Sequence, residues 1–175
     1  MWKRPRNWPE HNKVDVVAGL VPAFTKGNHK GRPYGIKEDQ KYMADKLTLD
    51  IVTPHGHVFT DEVDEIVAPG SEGEFGVLPD HVPFLTTLKI GMLTYKKGSE
   101  TGIFFIASGY AEVGPDKVTI LADSAEKSDH IDVERAKAAM KRAEERLKQK
   151  ENIDEARATA ALERAIARIN VAEKK

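Results

Sequence analysis

GYAEVGPDKVTILADSAEKSDHIDVERAKAAM, residues 109–140, changes its hydrophobic period part-way along, and that change decides the fold. Tyr110 to Val113 and Val118 to Leu121 are short apolar runs joined by Gly114-Pro-Asp-Lys117, a hairpin signal. From Ile131 the period becomes helical. Val133, Ala136, Met140, Ala143 and Leu147 fall at spacings of 3, 4, 3 and 4, one stripe of an amphipathic helix.

Outward toward the N-terminus, the β pattern continues. Leu47, Leu49 and Ile51 alternate with Thr48, Asp50 and Val52, the period of a strand with one buried face. Thr53-Pro-His-Gly56 reads as a turn, Val58–Thr60 as a short return strand, and Val63–Ala68 as a further run closed by Pro69-Gly70. Leu85–Ile90 and Met92–Tyr95 flank Gly91, and Lys97-Gly98 turns the chain into Ile103-Phe-Phe-Ile106. Short strands with a turn after each predict a small sandwich or barrel with a modest core. Outward toward the C-terminus, Ala158, Leu162, Ala165, Ile169 and Ala172 make a second stripe, and Asn152 and Asp154 suit the intervening turn and helix cap. Two such helices form an antiparallel hairpin. Its Ala-rich seams bury little area, so it needs the sandwich or another protein to hold its shape.

Composition narrows the function classes. There is no Cys among the 175 residues, which excludes disulfides, thiolate metal sites and a Cys nucleophile. No apolar run is long enough for a membrane span. Residues 1–42 carry nine Lys/Arg against four Asp/Glu, 43–130 six against fifteen, and 131–175 twelve against nine. An acidic middle between basic ends does not suit a nucleic-acid footprint. Pro5, Pro9, Pro22 and Pro33 interrupt every candidate element of residues 1–42, which read as a disordered or irregular extension. The organisation expected is therefore 1–42 extension, 43–127 β-sandwich and 128–175 helical hairpin.

A catalytic apparatus is missing. There is neither a GxxxxGK[ST] phosphate loop nor a GxSxG elbow. His55 and His57 stand two apart, a poor metal pair, and read as turn residues. The acidic pairs Asp61-Glu62 and Asp64-Glu65 read as a solvated face. Residues 71–91, SEGEFGVLPDHVPFLTTLKIG, read as a long connection between strands, stiffened by Pro79 and Pro83, that exposes Glu74 and His81 as a docking surface. These features suit a docking subunit of a larger assembly and a free-standing β-sandwich binding module with a helical dimerisation tail about equally.

GEFGVLPDHVPFLTTLKIG (73–91), SGYAEVGPDKVTILADSAE (108–126) and IDVERAKAA (131–139) together resemble the epsilon subunit of bacterial and chloroplast rotary ATP synthases. The resemblance runs from about Met43 to Lys175; residues 1–42 have no counterpart in it. It implies an N-terminal antiparallel β-sandwich of about ten short strands followed by an antiparallel two-helix hairpin. It implies a non-catalytic part of a proton-translocating complex, peripheral on the cytoplasmic face of the bacterial inner membrane and touching the membrane only through that complex. The sandwich would bind the gamma subunit and the c-subunit ring, the ring through positions matching Glu74 and His81. The hairpin would restrain ATP hydrolysis when extended, its Arg135, Arg142, Arg146, Arg157, Arg164 and Arg168 facing acidic surfaces of the alpha and beta subunits. No cofactor is required, but some members bind regulatory ATP through an I/L-D-x-x-R-A motif. Here that motif is Ile131–Ala136, and the matching ligand positions are Glu126, Asp132, Arg135, Arg164 and Arg168.

Overall fold

The computed structural model describes residues 46–149 and 154–174; the expectations for residues 1–42 and for Asn152 lie outside them. Ten strands come first: β1 Leu47–Thr53, β2 Gly56–Val63, β3 Glu65–Gly70, β4 Gly73–Val77, β5 Phe84–Leu88, β6 Gly91–Lys97, β7 Glu100–Ile106, β8 Gly109–Val113, β9 Lys117–Ala122 and β10 Ala125–Lys127. A 3-10 turn, Ser128–His130, leads into helices α1 Val133–Lys148 and α2 Glu155–Glu173. One hydrogen-bonded path, β10-β7-β6-β3-β5-β8-β9-β1-β2, links nine strands, with β4 paired to β3.

The alternating register of β1 places Leu47, Leu49 and Ile51 inside, all fully buried. They meet Ile66, Leu93, Phe104, Ile106, Val118 and Ile120 in a single core. Phe59, Tyr95 and Phe104 pack as an aromatic trio with ring centroids 5.0–6.1 Å apart. Every pair is antiparallel except β1 with β9, which run parallel from Thr48 opposite Lys117 to Val52 opposite Leu121. At Gly109 (φ 138°) a Cβ would run into the Leu121 carbonyl oxygen, so this strand start is closed to other residues.

Three local expectations change. Residues 71–91 are not one long connection: Gly73–Val77 pairs with β3 and Phe84–Leu88 with β8. β4 is hidden by Gly at two of its five positions, whereas β5 overlaps the run read at Leu85–Ile90. His57 is not a turn residue but part of β2, just past a bulge at Ile51/Val52; its Nε2 lies 2.5 Å from Thr60 Oγ1 and 3.3 Å from Asp50 Oδ1. Asp61 and Glu65 are not merely solvated, because they pair with Lys97 and Lys96 at 2.6 Å. The Lys97 ammonium holds the Asp61 carboxyl below its ordinary range, and is itself pushed up by that carboxylate.

Both helices start on the same device. Asp132 accepts from the Arg135 backbone N–H at 2.9 Å, and Asp154 accepts from that of Arg157 at 3.0 Å. Each D-x-x-R stretch thus supplies its own N-cap. Ala136, Ala143, Ala158 and Ala165 are buried, as the two stripes require. The hairpin does not stand away from the sandwich. Val171 (1% exposed) packs with Phe105, Ala107 and Ile131, flanked by Ile90, Met92, Ile103, Ala167 and Ala172, in a second apolar cluster on the outer face of β6 and β7.

Candidate functional site: a charged cavity where the hairpin meets the sandwich

Cross-strand register builds the floor of this site. Glu126 of β10 lies opposite Phe105 of β7, which lies opposite Met92 of β6, so all three face the helices. Arg168 of α2 comes down on this row. Its Nε and Nη2 donate to Glu126 Oε1 at 2.9 and 2.8 Å, and its guanidinium carbon sits 4.1 Å above the Phe105 ring centroid. One cation is thereby held by a charge-assisted pair and a cation–π contact.

Beside this clamp opens a cavity of about 270 Å³, lined by Glu126, His130, Asp132, Arg135, Arg142 and Arg168, with Ala136 and Ala139 leaving the room. Four of the five residues expected to gather here do so. Arg164 does not line the cavity; its carbonyl oxygen accepts a long 3.5 Å bond from Arg168 Nη1. The i,i+4 spacing aligns the two arginines on the helix, but Arg168 turns to Glu126 instead of standing beside Arg164 as a second free cation. Asp132 has its capping role. His130 and Arg142 were not expected. Arg142 had a readable signal: Arg135, Ala139 and Arg142 fall at i, i+4 and i+7, one helix face with a small residue between two cations. His130 had none, because its placement depends on the 3-10 turn.

The positions expected to contact a ring lie elsewhere. Glu74, in β4, is exposed and borders a shallow hollow of about 260 Å³ with Phe75 and Phe84. His81 is half-buried; its Nδ1 lies 2.9 Å from the Val82 carbonyl and its ring centroid 5.3 Å from that of Phe84. Both therefore adjoin Phe84, with Leu78, Val82 and Leu85 exposed by 59, 75 and 70% nearby in sequence.

A third surface is bare. Thr87, Tyr110, Leu121 and Val52 form one row across β5, β8, β9 and β1 on the side away from the core. Tyr110 and Leu121 are 55 and 49% exposed and line a recess of about 370 Å³ with Val52 and Pro54. The next row is polar, with Asp50 bound to Lys117 Nζ at 3.0 Å and to the Thr60 hydroxyl at 2.8 Å. These bonds keep the Asp50 carboxyl below its ordinary range, Lys117 first.

Residues 46–128 match the family model of the ATP synthase delta/epsilon chain beta-sandwich domain, and 129–173 that of its long alpha-helix domain. The chain belongs to the ATP synthase epsilon-chain family. The epsilon chain of Geotalea daltonii is 58% identical over 107 residues, 61% of this chain and 78% of that relative. The epsilon chain of Syntrophobacter fumaroxidans is 56% identical over 133 residues, 75% of this chain and 99% of its own length. The fold is also that of a chain in the Euglena gracilis mitochondrial ATP synthase OSCP/F1/c-ring structure, with TM-score 0.64 at 21% identity, covering 94% of this chain and 96% of that one. An epsilon chain is a non-catalytic subunit of the ATP synthase complex. Among the described residues no helix is long and apolar enough to cross a membrane.

Proposed function

We propose that this subunit works in the rotor of a proton-translocating ATP synthase, with each face of the sandwich given to a different task. The bare row of Tyr110, Leu121 and Val52 takes the gamma subunit, since an exposed aromatic and aliphatic patch around a recess suits a protein partner. The edge carrying Glu74 and His81 meets the c-subunit ring, Glu74 by pairing with a cationic or amide side chain of a ring loop. The hairpin restrains ATP hydrolysis when it leaves the sheet and reaches the alpha and beta subunits with its arginines. The complex holds the subunit peripherally at the cytoplasmic face of a bacterial inner membrane. The observation that carries this reading is the contrast in cover: the hairpin docks on β6 and β7 through a small cluster around Phe105 and Val171, while the opposite face has an apolar row that no described residue covers.

The test is a pull-down from membrane extract with the full chain and with a chain ending at His130, which keeps all ten strands. Both bring down gamma and the c ring, and the truncated complex hydrolyses ATP several-fold faster. Equal hydrolysis rates, or loss of gamma from the truncated form, overturn the division of labour. A second test places Cys at position 74; cross-links to an engineered Cys on the c-subunit loop are expected, and their absence across 74–81 removes the ring contact.

ATP is the regulatory ligand that suits the junction cavity. Arg135 and Arg142 point at the same space from one helix, and neither side chain has an ion pair among the described residues. Two uncommitted guanidinium groups suit a polyphosphate. Arg168 and Arg164 add to it if Glu126 releases its partner, leaving Glu126 and Asp132 to adenine, ribose or a guanidinium. Bound ATP favours the folded-down hairpin, because a ligand shifts the equilibrium toward the state it prefers. Calorimetry of the full chain with ATP and MgATP, beside Arg135→Ala and Arg164→Ala, reads this directly. The expected outcome is binding weakened tenfold or more by Arg135→Ala and less by Arg164→Ala; no heat at millimolar ATP removes the ligand.

A further inference from the structure

We propose that His130 makes nucleotide binding at the junction cavity depend on protons, its imidazolium adding a cation to the phosphate-facing wall. The inference rests on the ATP reading above. His130 closes the 3-10 turn that joins the sandwich to α1, so it sits between the floor of the cavity and its helical wall. Its imidazole makes neither a hydrogen bond nor an ion pair among the described residues, which leaves both ring nitrogens for a ligand. The charged groups facing it are Glu126 from β10, Asp132, Arg135 and Arg142 from the start and body of α1, and Arg168 from α2. In its own turn Asp129 pairs with Lys127 at 3.9 Å.

Of these groups the two carboxylates are already engaged, Glu126 by Arg168 and Asp132 by the helix N-terminus. The guanidinium groups keep their charge at any pH the protein meets. Imidazole is the side-chain type whose ordinary titration falls between pH 5 and 8. A polyphosphate in the cavity brings negative charge beside the ring, and an opposite charge within a few ångströms favours the protonated imidazole. Binding and protonation therefore support each other. The group holds its proton more tightly in the bound state, so its contribution is present at low pH and lost as pH rises through the bound-state value. Acidification would strengthen the hold on nucleotide and keep the hairpin down at ATP levels that release it in alkaline conditions.

The experiment is calorimetry of the full chain with MgATP at about pH 6 and about pH 8, in two buffers of different ionisation heat, beside His130→Gln and His130→Arg. Because ATP has its own phosphate titration, the reading is the difference between chains. The wild-type affinity ratio between the two pH values should exceed that of His130→Gln by roughly fivefold, the size expected of one partly exposed charge contact. Buffer dependence should show fractional proton uptake near pH 7 that His130→Gln lacks, and His130→Arg should bind as tightly at high pH as at low. Equal ratios in wild type and His130→Gln, with binding intact, overturn the role of His130 and leave the nucleotide reading standing. No binding in any chain at either pH overturns both.

Discussion

The two outer faces of this sandwich are both apolar, and among the described residues only one has a cover. On β6 and β7, Phe105 is fully buried beneath α2 and its ring also supports Arg168. On β8 and β9, Tyr110 and Leu121 stand about half exposed with nothing above them among the described residues. On the function proposed above, the face under the hairpin is the regulated one and the open face is the one given to permanent assembly. The hairpin's small Ala-rich seam fits the first role, because its docking on the sheet decides whether it keeps its place.

The comparison can be broken most severely at Phe105. Phe105→Ala removes the floor under both Val171 and Arg168, and should cost about 3–5 kcal/mol in denaturant unfolding. Hydrogen exchange should show α2 amides opening far more readily, while those of β1 and β9 still exchange only through global unfolding. If α2 keeps its protection, the hairpin does not depend on that face. The bare face should answer oppositely. Tyr110→Ala and Leu121→Ala should each change the stability of the isolated subunit by less than about 1 kcal/mol, yet weaken gamma binding by about 2 kcal/mol, the size of an interface hot spot. Equal losses in both measurements would make Tyr110 and Leu121 ordinary packing residues.

Smaller effects sharpen the contrast. A double-mutant cycle on Glu126→Gln and Arg168→Ala should give a coupling of about 1–2 kcal/mol, since the pair is partly sheltered and charge-assisted. Zero coupling would mean that the clamp is held by Phe105 alone. The smallest effect belongs to Asp50 beside the bare row. Its carboxyl lies below the ordinary value of 3.8, so its bonds to Lys117 and Thr60 stabilise the fold above that pH and fade as pH falls through the lowered value. Asp50→Asn should therefore cost about 0.5 kcal/mol at neutral pH and progressively less as the solution is acidified below the ordinary carboxylate range, followed by thermal unfolding; the small figure reflects the exposure of Lys117. A loss that persists in acid would point to shape rather than charge.

Residues with a strong period were legible. Leu47, Leu49 and Ile51 announced β1, the change at Ile131 announced the hairpin, and three motif stretches carried the family. Strand β4 was not, because Gly73 and Gly76 break the apolar pattern while backbone pairing still forms; β5 was read as Leu85–Ile90, starting one residue late and running two past its end. Of the cavity, Glu126, Asp132, Arg135 and Arg168 could be named through the resemblance. What no pattern shows is commitment: Asp132 to a cap, and Arg168 to a carboxylate 42 positions earlier. Val171 escaped the helix stripe for a similar reason. It faces the sheet rather than the partner helix, so its position follows from tertiary packing and not from the seam.

The parallel pairing of β1 with β9 has a consequence for how the protein is made. A strand at the start of the sandwich borders the last long strand on one side and its own hairpin partner on the other. During synthesis, at about 5–20 residues per second, β1 and β2 must wait several seconds with one edge unsatisfied until β9 emerges. Closure of the sandwich is therefore late and cooperative, and it falls just before the helices are translated. The hairpin therefore follows most of the sheet off the ribosome, and the face around Phe105 is a surface of its own chain already there to dock on.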